Sequence, residues 1–222
     1  MSISENLKNI RKRIAQVAAK SGKTFGDITL VAVTKTVEAE RINEAISLGI
    51  TDIGENRVQE LLAKNADILP SARHLIGHLQ TNKVRQIIGK VSLIHSVDSL
   101  TLLREIDNRA GKLGIVQDIL IQVNTSGEES KFGVAPKVCS ELAKVTQELE
   151  NVNLRGIMTM APLGAEEKLL RNIFARTGEI FDDISVNHKQ IDVLSMGMSG
   201  DFETAIECGA NMVRIGSGIF KK

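Results

Sequence analysis

The residue in this chain best suited to covalent chemistry is a lysine that closes a strand. Leu30-Val31-Ala32-Val33-Thr34 is an unbroken run of apolar and β-branched strand formers, and Lys35 follows it directly. Alternation along a strand puts Lys35 on the same face as Val31 and Val33. An amine held among apolar neighbours has its charged form disfavoured, and the neutral form condenses with an aldehyde to a Schiff base. Solvated lysines at strand ends are far commoner, so this reading needs partners elsewhere in the chain.

Two later stretches have the chemistry of an anion site. Ser195-Met196-Gly197-Met198-Ser199-Gly200 and Arg214-Ile215-Gly216-Ser217-Gly218 combine glycines, which let backbone approach a ligand, with hydroxyl donors. Ser199, Gly200, Gly216 and Ser217 are the candidates to hold a phosphate. Arg214 is placed to reach either that phosphate or another acceptor on the ligand. His74, His78 and His95 invite a metal reading, but they lack H-E-x-x-H or third-ligand spacing, so no metal is expected. Lys131 is a rival Schiff-base amine. It stands between Ser130 and Phe132 in a loop of glycine and glutamate, which predicts a solvated, protonated side chain. Ser21-Gly22-Lys23-Thr24 has the ending of a phosphate-binding loop, but Val17 replaces its first glycine and a strand follows it.

These residues need a scaffold that brings them together. Leu7, Ile10, Ile14, Val17 and Ala18 recur at helical spacing and predict an amphipathic helix within residues 1–20. Strands are expected at 30–35, 51–54, 74–77, 92–96, 115–124, 154–160, 191–195 and 212–215. Helices are expected between them at 38–48, 57–69, 81–88, 99–110, 136–149, 166–184 and 202–208. This α/β alternation predicts a parallel sheet closed as a single (β/α)8 TIM barrel, with an open doubly wound sheet as the alternative. No linker interrupts the units, so residues 1–222 are expected to form one domain, with no chain left for a second.

In such a barrel the active rim lies at the carboxyl ends of the strands, and a phosphate frequently sits between the loops after strands seven and eight. Closure pairs strand eight with strand one, which makes Lys35 and the small-residue loops neighbours. An amine beside a phosphate cradle calls for a phosphorylated aldehyde, and pyridoxal 5'-phosphate (PLP) carries both groups on one ring.

Over nearly its full length the chain resembles the pyridoxal-phosphate homeostasis proteins, which are similar in fold to the barrel domain of alanine racemase. The resemblance is carried by Val31-Ala32-Val33-Thr34-Lys35, Gly54-Glu55-Asn56-Arg57-Val58-Gln59-Glu60, His74-Leu75-Ile76-Gly77-His78-Leu79-Gln80-Thr81-Asn82-Lys83, Ser195-Met196-Gly197-Met198-Ser199 and Val213-Arg214-Ile215-Gly216. It implies Lys35 as the Schiff-base lysine and Ser199, Gly200, Gly216 and Ser217 as phosphate ligands. It also implies Asn56 near the ring hydroxyl and Arg214 at the pyridine nitrogen. Thr34 stands where serine is common in the family. The function implied is intracellular storage and delivery of PLP to PLP-dependent apoenzymes, without substantial catalysis. The alternatives are a PLP-dependent amino-acid racemase and an aldolase or isomerase of phosphorylated sugars. A racemase of the resembled fold takes its second base from a tyrosine on an added C-terminal domain, and this chain of 222 residues contains no tyrosine.

Composition narrows the partners. Lys plus Arg at 28 against Asp plus Glu at 27 leaves +1, which argues against nucleic acid or membrane surfaces as ligands. Cys139 and Cys208 form no ligand or disulfide pattern, and Lys8, Arg11, Lys12 and Arg13 interrupt any signal-peptide core. A cytoplasmic monomer is expected.

Overall fold

The computed structural model describes residues 2–128, 131–188 and 190–221. Eight parallel strands close into a barrel in sequence order: β1 (Thr29–Val33), β2 (Asp52–Glu55), β3 (Ala72–Leu75), β4 (Leu93–Val97), β5 (Gln117–Gln122), β6 (Val152–Met158), β7 (Val193–Ser195) and β8 (Met212–Ile215). The helices are α1 (Ile3–Lys20), α2 (Ala39–Ser47), α3 (Val58–Lys64), α4 (Val84–Ile87), α5 (Leu100–Lys112), α6 (Pro136–Thr146), α7 (Glu167–Ser185), α8 (Phe202–Glu207) and α9 (Ser217–Phe220).

Alternation sorts the strand residues as their sequence suggests. Val31 faces the barrel interior with Leu93, Leu120, Met158 and Met212. Leu30 and Ala32 face outward and pack with α1 residues Leu7, Ile10 and Ile14. The expected run of β1 to Lys35 stops two residues early. Thr34 still donates its amide to the Gly54 carbonyl at 2.9 Å, but Thr36 then takes φ +59° and turns the chain away.

Other boundaries moved for local reasons. The helix expected over 57–69 ends at Lys64, because the Arg73 guanidinium takes the carbonyls of Asn65 and Ile68 and Asn43 ties down Asp67 and Leu69. The third strand lies at Ala72–Leu75 rather than 74–77, since Ala72 and Arg73 pair with Asp52 and Ile53. The helix expected over 81–88 is a 3₁₀ turn, Thr81–Lys83, running into the single turn of α4. The glycine of the Ser21–Thr24 stretch ends α1: Gly22 has φ +70° and the Lys23 amide reaches back to the Ala18 carbonyl.

The opening helix bears directly on the rim. A capping box between Ser2 and Glu5 starts α1, and α1 then packs on α8 and α9. Asn6 donates to the carbonyls of Ile219 and Lys221, and Arg13 makes a two-pronged pair with Glu203. The loops after β7 and β8 are thereby buttressed from outside. Among the described residues, no helix is long and apolar enough to cross a membrane.

Candidate functional site

A cavity of about 880 Å3 opens at the carboxyl ends of the strands. Lys35, Ser199, Gly200, Gly216 and Ser217 all line it. The β1–β8 pairing sets Val31 opposite Arg214 and Ala32 opposite Ile215, so Lys35 and the Gly216-Ser217 turn leave adjacent strands side by side. Lys35 is exposed to this space rather than packed among the valines. The expectation of an amine buried by apolar neighbours therefore fails, because β1 ends before Lys35.

What aims Lys35 is a polar clamp behind it, which sequence reasoning missed. Thr34 Oγ1 donates to Glu55 Oε1 at 2.7 Å, and Lys64 Nζ donates both to that oxygen and to the Thr34 carbonyl at 2.9 Å. The Thr36 amide donates to Glu60 Oε2 at 3.0 Å. A β-branched residue in the left-handed region costs on the order of 1–3 kcal/mol and persists only where its surroundings hold it. Glu60 and Lys64 hold it here. The signal available in the sequence was a glutamate at the end of β2 followed by Glu60 and Lys64 one helical turn apart.

The two small-residue loops are joined to each other. Ser199 Oγ accepts from the Gly218 amide at 3.3 Å, and the Arg214 amide donates to the Gly197 carbonyl at 3.0 Å. Gly197 has φ +92°, and a Cβ there would stand 2.6 Å from the Ala205 Cβ and 2.8 Å from the Phe202 Cα. Only glycine lets this loop close onto α8. Gly200 differs: a Cβ would meet nothing within 4 Å, so its small size leaves room on the ligand side. At Gly216 a Cβ would come within 3.1 Å of the Val33 Cβ and 3.2 Å of the Val33 carbonyl, so glycine there serves β1 as well as any ligand. Asp201, which the sequence did not flag, also lines the cavity and holds the Met198 amide.

Arg214 and Asn56 do not line the cavity. Arg214 is 1% exposed. Its guanidinium donates to Ser195 Oγ and, at 2.8 Å, to the Thr159 carbonyl. Burial brings its pKa down to about 10, with Asp201 opposing the fall, so it stays charged at neutral pH. Asn56 is half-buried and packs over Gly77, where a Cβ would lie 2.1 Å from the Asn56 carbonyl oxygen.

Lys131 overturns its expectation. Instead of being solvated, it lines the same cavity as Lys35, and its Nζ is buried without a hydrogen-bond partner among the described residues, Glu128 Oε2 standing 3.6 Å away. Glu129 and Ser130 lie outside the described residues. Phe132, next along, stacks on His78 at 4.0 Å between ring centroids, and His78 Nδ1 is 3.1 Å from Asp98. Phe132, Met160 and Leu163 give the mouth an exposed apolar rim. His74 and His95 bond to each other, and no three metal-ligating side chains converge among the described residues.

Known proteins share the fold and much of the sequence. A family model described as the alanine racemase N-terminal domain matches residues 6–222. The pyridoxal phosphate homeostasis protein of Aquifex aeolicus (strain VF5) is 43% identical over 223 residues, 99% of this chain and 98% of its own. The structure of PipY from Synechococcus elongatus PCC7942 with PLP bound superposes at a TM-score of 0.86 and 32% identity, covering 99% of this chain and 100% of PipY. Alanine racemase from Clostridium difficile 630 in complex with cycloserine shares the fold, with a TM-score of 0.82 at 15% identity over 99% of this chain and 59% of that one. Matched end to end in sequence and in barrel, the chain belongs to the pyridoxal phosphate homeostasis protein family.

Proposed function

We propose that this protein binds PLP on Lys35 and serves its storage and delivery. The observation that carries the reading is an exposed lysine amine that faces, across the β1–β8 seam, two loops of glycine and serine in one 880 Å3 cavity. PLP, when bound, supplies an aldehyde that condenses with an amine and a ring that withdraws electrons. The residues present fit such a group. Lys35 offers the amine. Ser199 and Ser217 offer hydroxyls, the first amides of α9 have no partner within that helix, and Gly200 leaves space for an anion.

The Arg214 guanidinium is spent on Ser195 Oγ and the Thr159 carbonyl rather than on the serines of the phosphate loops. That favours contact with the ring nitrogen over the phosphate. A charged guanidinium only donates, so the nitrogen it meets stays unprotonated and the ring withdraws electrons weakly. This supports a carrier over a catalyst. Asn56 is read as a neighbour of the ring hydroxyl. Delivery to apoenzymes needs an open mouth, and the exposure of Lys35 and of the Phe132–Leu163 rim supports it.

A racemase needs acid/base groups on both faces of its substrate. One observation favours that second reading: the Lys131 amine stands in the wall of the same cavity. Titrating the purified protein with PLP tests the main reading. A stoichiometric long-wavelength absorption band, abolished by borohydride, is the expected result. A PLP spectrum identical to that of the free cofactor would contradict it.

A further inference from the structure

Five polar side chains form one hydrogen-bonded file through the interior of the barrel. Arg214 Nη1 donates to Ser195 Oγ; Ser195 Oγ and His95 Nδ1 are 3.2 Å apart; His95 Nε2 and His74 Nδ1 are 2.9 Å apart; His74 Nε2 and Asp52 Oδ1 are 3.0 Å apart. The file crosses the barrel from the rim towards its floor. Around it the interior is apolar: Val31, Leu93, Leu120, Met158 and Met212.

The two ends set the direction of the outer bonds of the file. A guanidinium only donates and an ionised carboxylate only accepts. Asp52 is held ionised: burial opposes this, but hydrogen bonds from His74 and Thr51 outweigh it and keep its pKa below the usual aspartate value. His74 then carries a proton on Nε2, and as a neutral imidazole it accepts at Nδ1. In that arrangement His95 donates from Nε2 and accepts the Ser195 hydroxyl proton at Nδ1. Both histidines are neutral in this pattern. His95 is fully buried, and burial first, with the nearby Arg214 charge adding to it, keeps it neutral well below the ordinary histidine range.

A buried polar file of this kind is weak evidence for stability, since apolar residues of similar volume would often serve the fold as well or better. It also gives Arg214 something its own contacts lack. The guanidinium touches a hydroxyl and a carbonyl but no carboxylate. Asp201 acts on the guanidinium only through space, and the file adds a hydrogen-bonded route to a second carboxylate, Asp52.

We propose that Asp52, His74 and His95 are positioning residues for Arg214, holding its guanidinium in a fixed direction and linking its charge to a carboxylate on the barrel floor, so that Arg214 meets the cofactor ring as a donor. The inference rests on the reading of the ligand as PLP with Arg214 at its ring nitrogen. The floor is also where the file meets solvent. Asp52 and His74 line a cavity of about 330 Å3 at the amino ends of the strands, with Asp27, Asp118, Arg155 and Asp192. Arg155 is committed to Asp118 and Asp192, which leaves Asp52 to His74. Glu55, Lys64 and Arg73 lie behind His74, while His95 faces His74, Ser195 and Arg214. A second proton on His74 would turn its Nδ1 from acceptor to donor and reverse the sense of the His95 contact.

The test combines side-chain ¹⁵N spectra of the unliganded protein with PLP titrations of the wild type, Asp52→Asn and His95→Gln. Asp52→Asn keeps an acceptor for His74 while removing the charge, so it separates charge from geometry. The unliganded wild type should show both buried histidines neutral, with the proton on Nε2. Each variant should bind PLP about 10-fold more weakly, in the range lost when a partner that orients a ligand-binding group is removed. An Nδ1–H tautomer on either histidine would overturn the proposal. So would wild-type affinity and spectrum in both variants. Failure of the wild type to take up PLP at all would instead overturn the reading of the ligand, and is seen before any variant is made.

Discussion

Val31 and Arg214 face each other across the seam where β8 closes onto β1. One is an apolar interior residue and the other a buried cation, and four residues beyond Val31 the chain presents Lys35 to the cavity. In an open sheet these two strands would stand at a distance from each other. Barrel closure is therefore what turns a strand-end lysine and two glycine-serine loops into one site.

The two glycines after β7 should separate by experiment. Gly197→Ala forces a Cβ into Ala205 and the Phe202 backbone at a positive φ, and should cost about 2–4 kcal/mol of stability, a fall in Tm of roughly 4–16 °C. Gly200→Ala meets no neighbour and should stay within about 0.5 kcal/mol of the parent while weakening phosphate and PLP binding. Thermal melts and isothermal titration with inorganic phosphate measure both.

The clamp behind Lys35 should behave as a buried pair. Lys64→Met leaves the Glu55 carboxylate buried without its cation and should cost about 3–5 kcal/mol. Adding Glu55→Gln to it should recover a large part of that loss. Denaturant unfolding of the two single variants and the double completes the cycle; equal and additive losses would show that the pair is not coupled.

Stability should fall in mild acid. His95 is neutral in the folded protein and held far below its ordinary value of 6.5, whereas the unfolded chain takes up a proton there. The unfolded state thus binds more protons below about pH 6.5, and unfolding free energy should drop towards pH 5 by up to ~1.4 kcal/mol per unit. His95→Gln should flatten that slope in urea titrations at several pH values.

Much of this was legible in the sequence, and the gaps have physical causes. The eight βα units, the rim loops and Lys35 follow from periodicity and turn chemistry, which are local. The file from Arg214 to Asp52 was not legible, because its members come from β2, β3, β4, β7 and β8 and meet only through barrel register. Lys131 misled for a similar reason: its loop neighbours are polar, but the fold turns its amine into the cavity wall. The short α9 and the turn at Thr36 were missed because tertiary partners, Gly216 against Val33 and Glu60 against the Thr36 amide, decide them.

Catalysis should be slow. Each absent acid/base group typically costs ~10²–10⁴ in rate, so α-proton exchange of L-alanine in deuterated water by the PLP-loaded protein should stay well below about 1 per second. Exchange at that rate or faster, abolished by Lys131→Ala, would establish Lys131 as a working base and favour the racemase reading.

The central claim is that Lys35 is the residue that takes PLP. Borohydride reduction of the PLP-loaded protein, followed by peptide mass spectrometry, measures this directly. The pyridoxyl mass should fall on the peptide containing Lys35, and Lys35→Ala should lose both that adduct and the absorption band while keeping its fold. Finding the mass on Lys131 in the wild-type protein, with Lys35 unmodified, would contradict it.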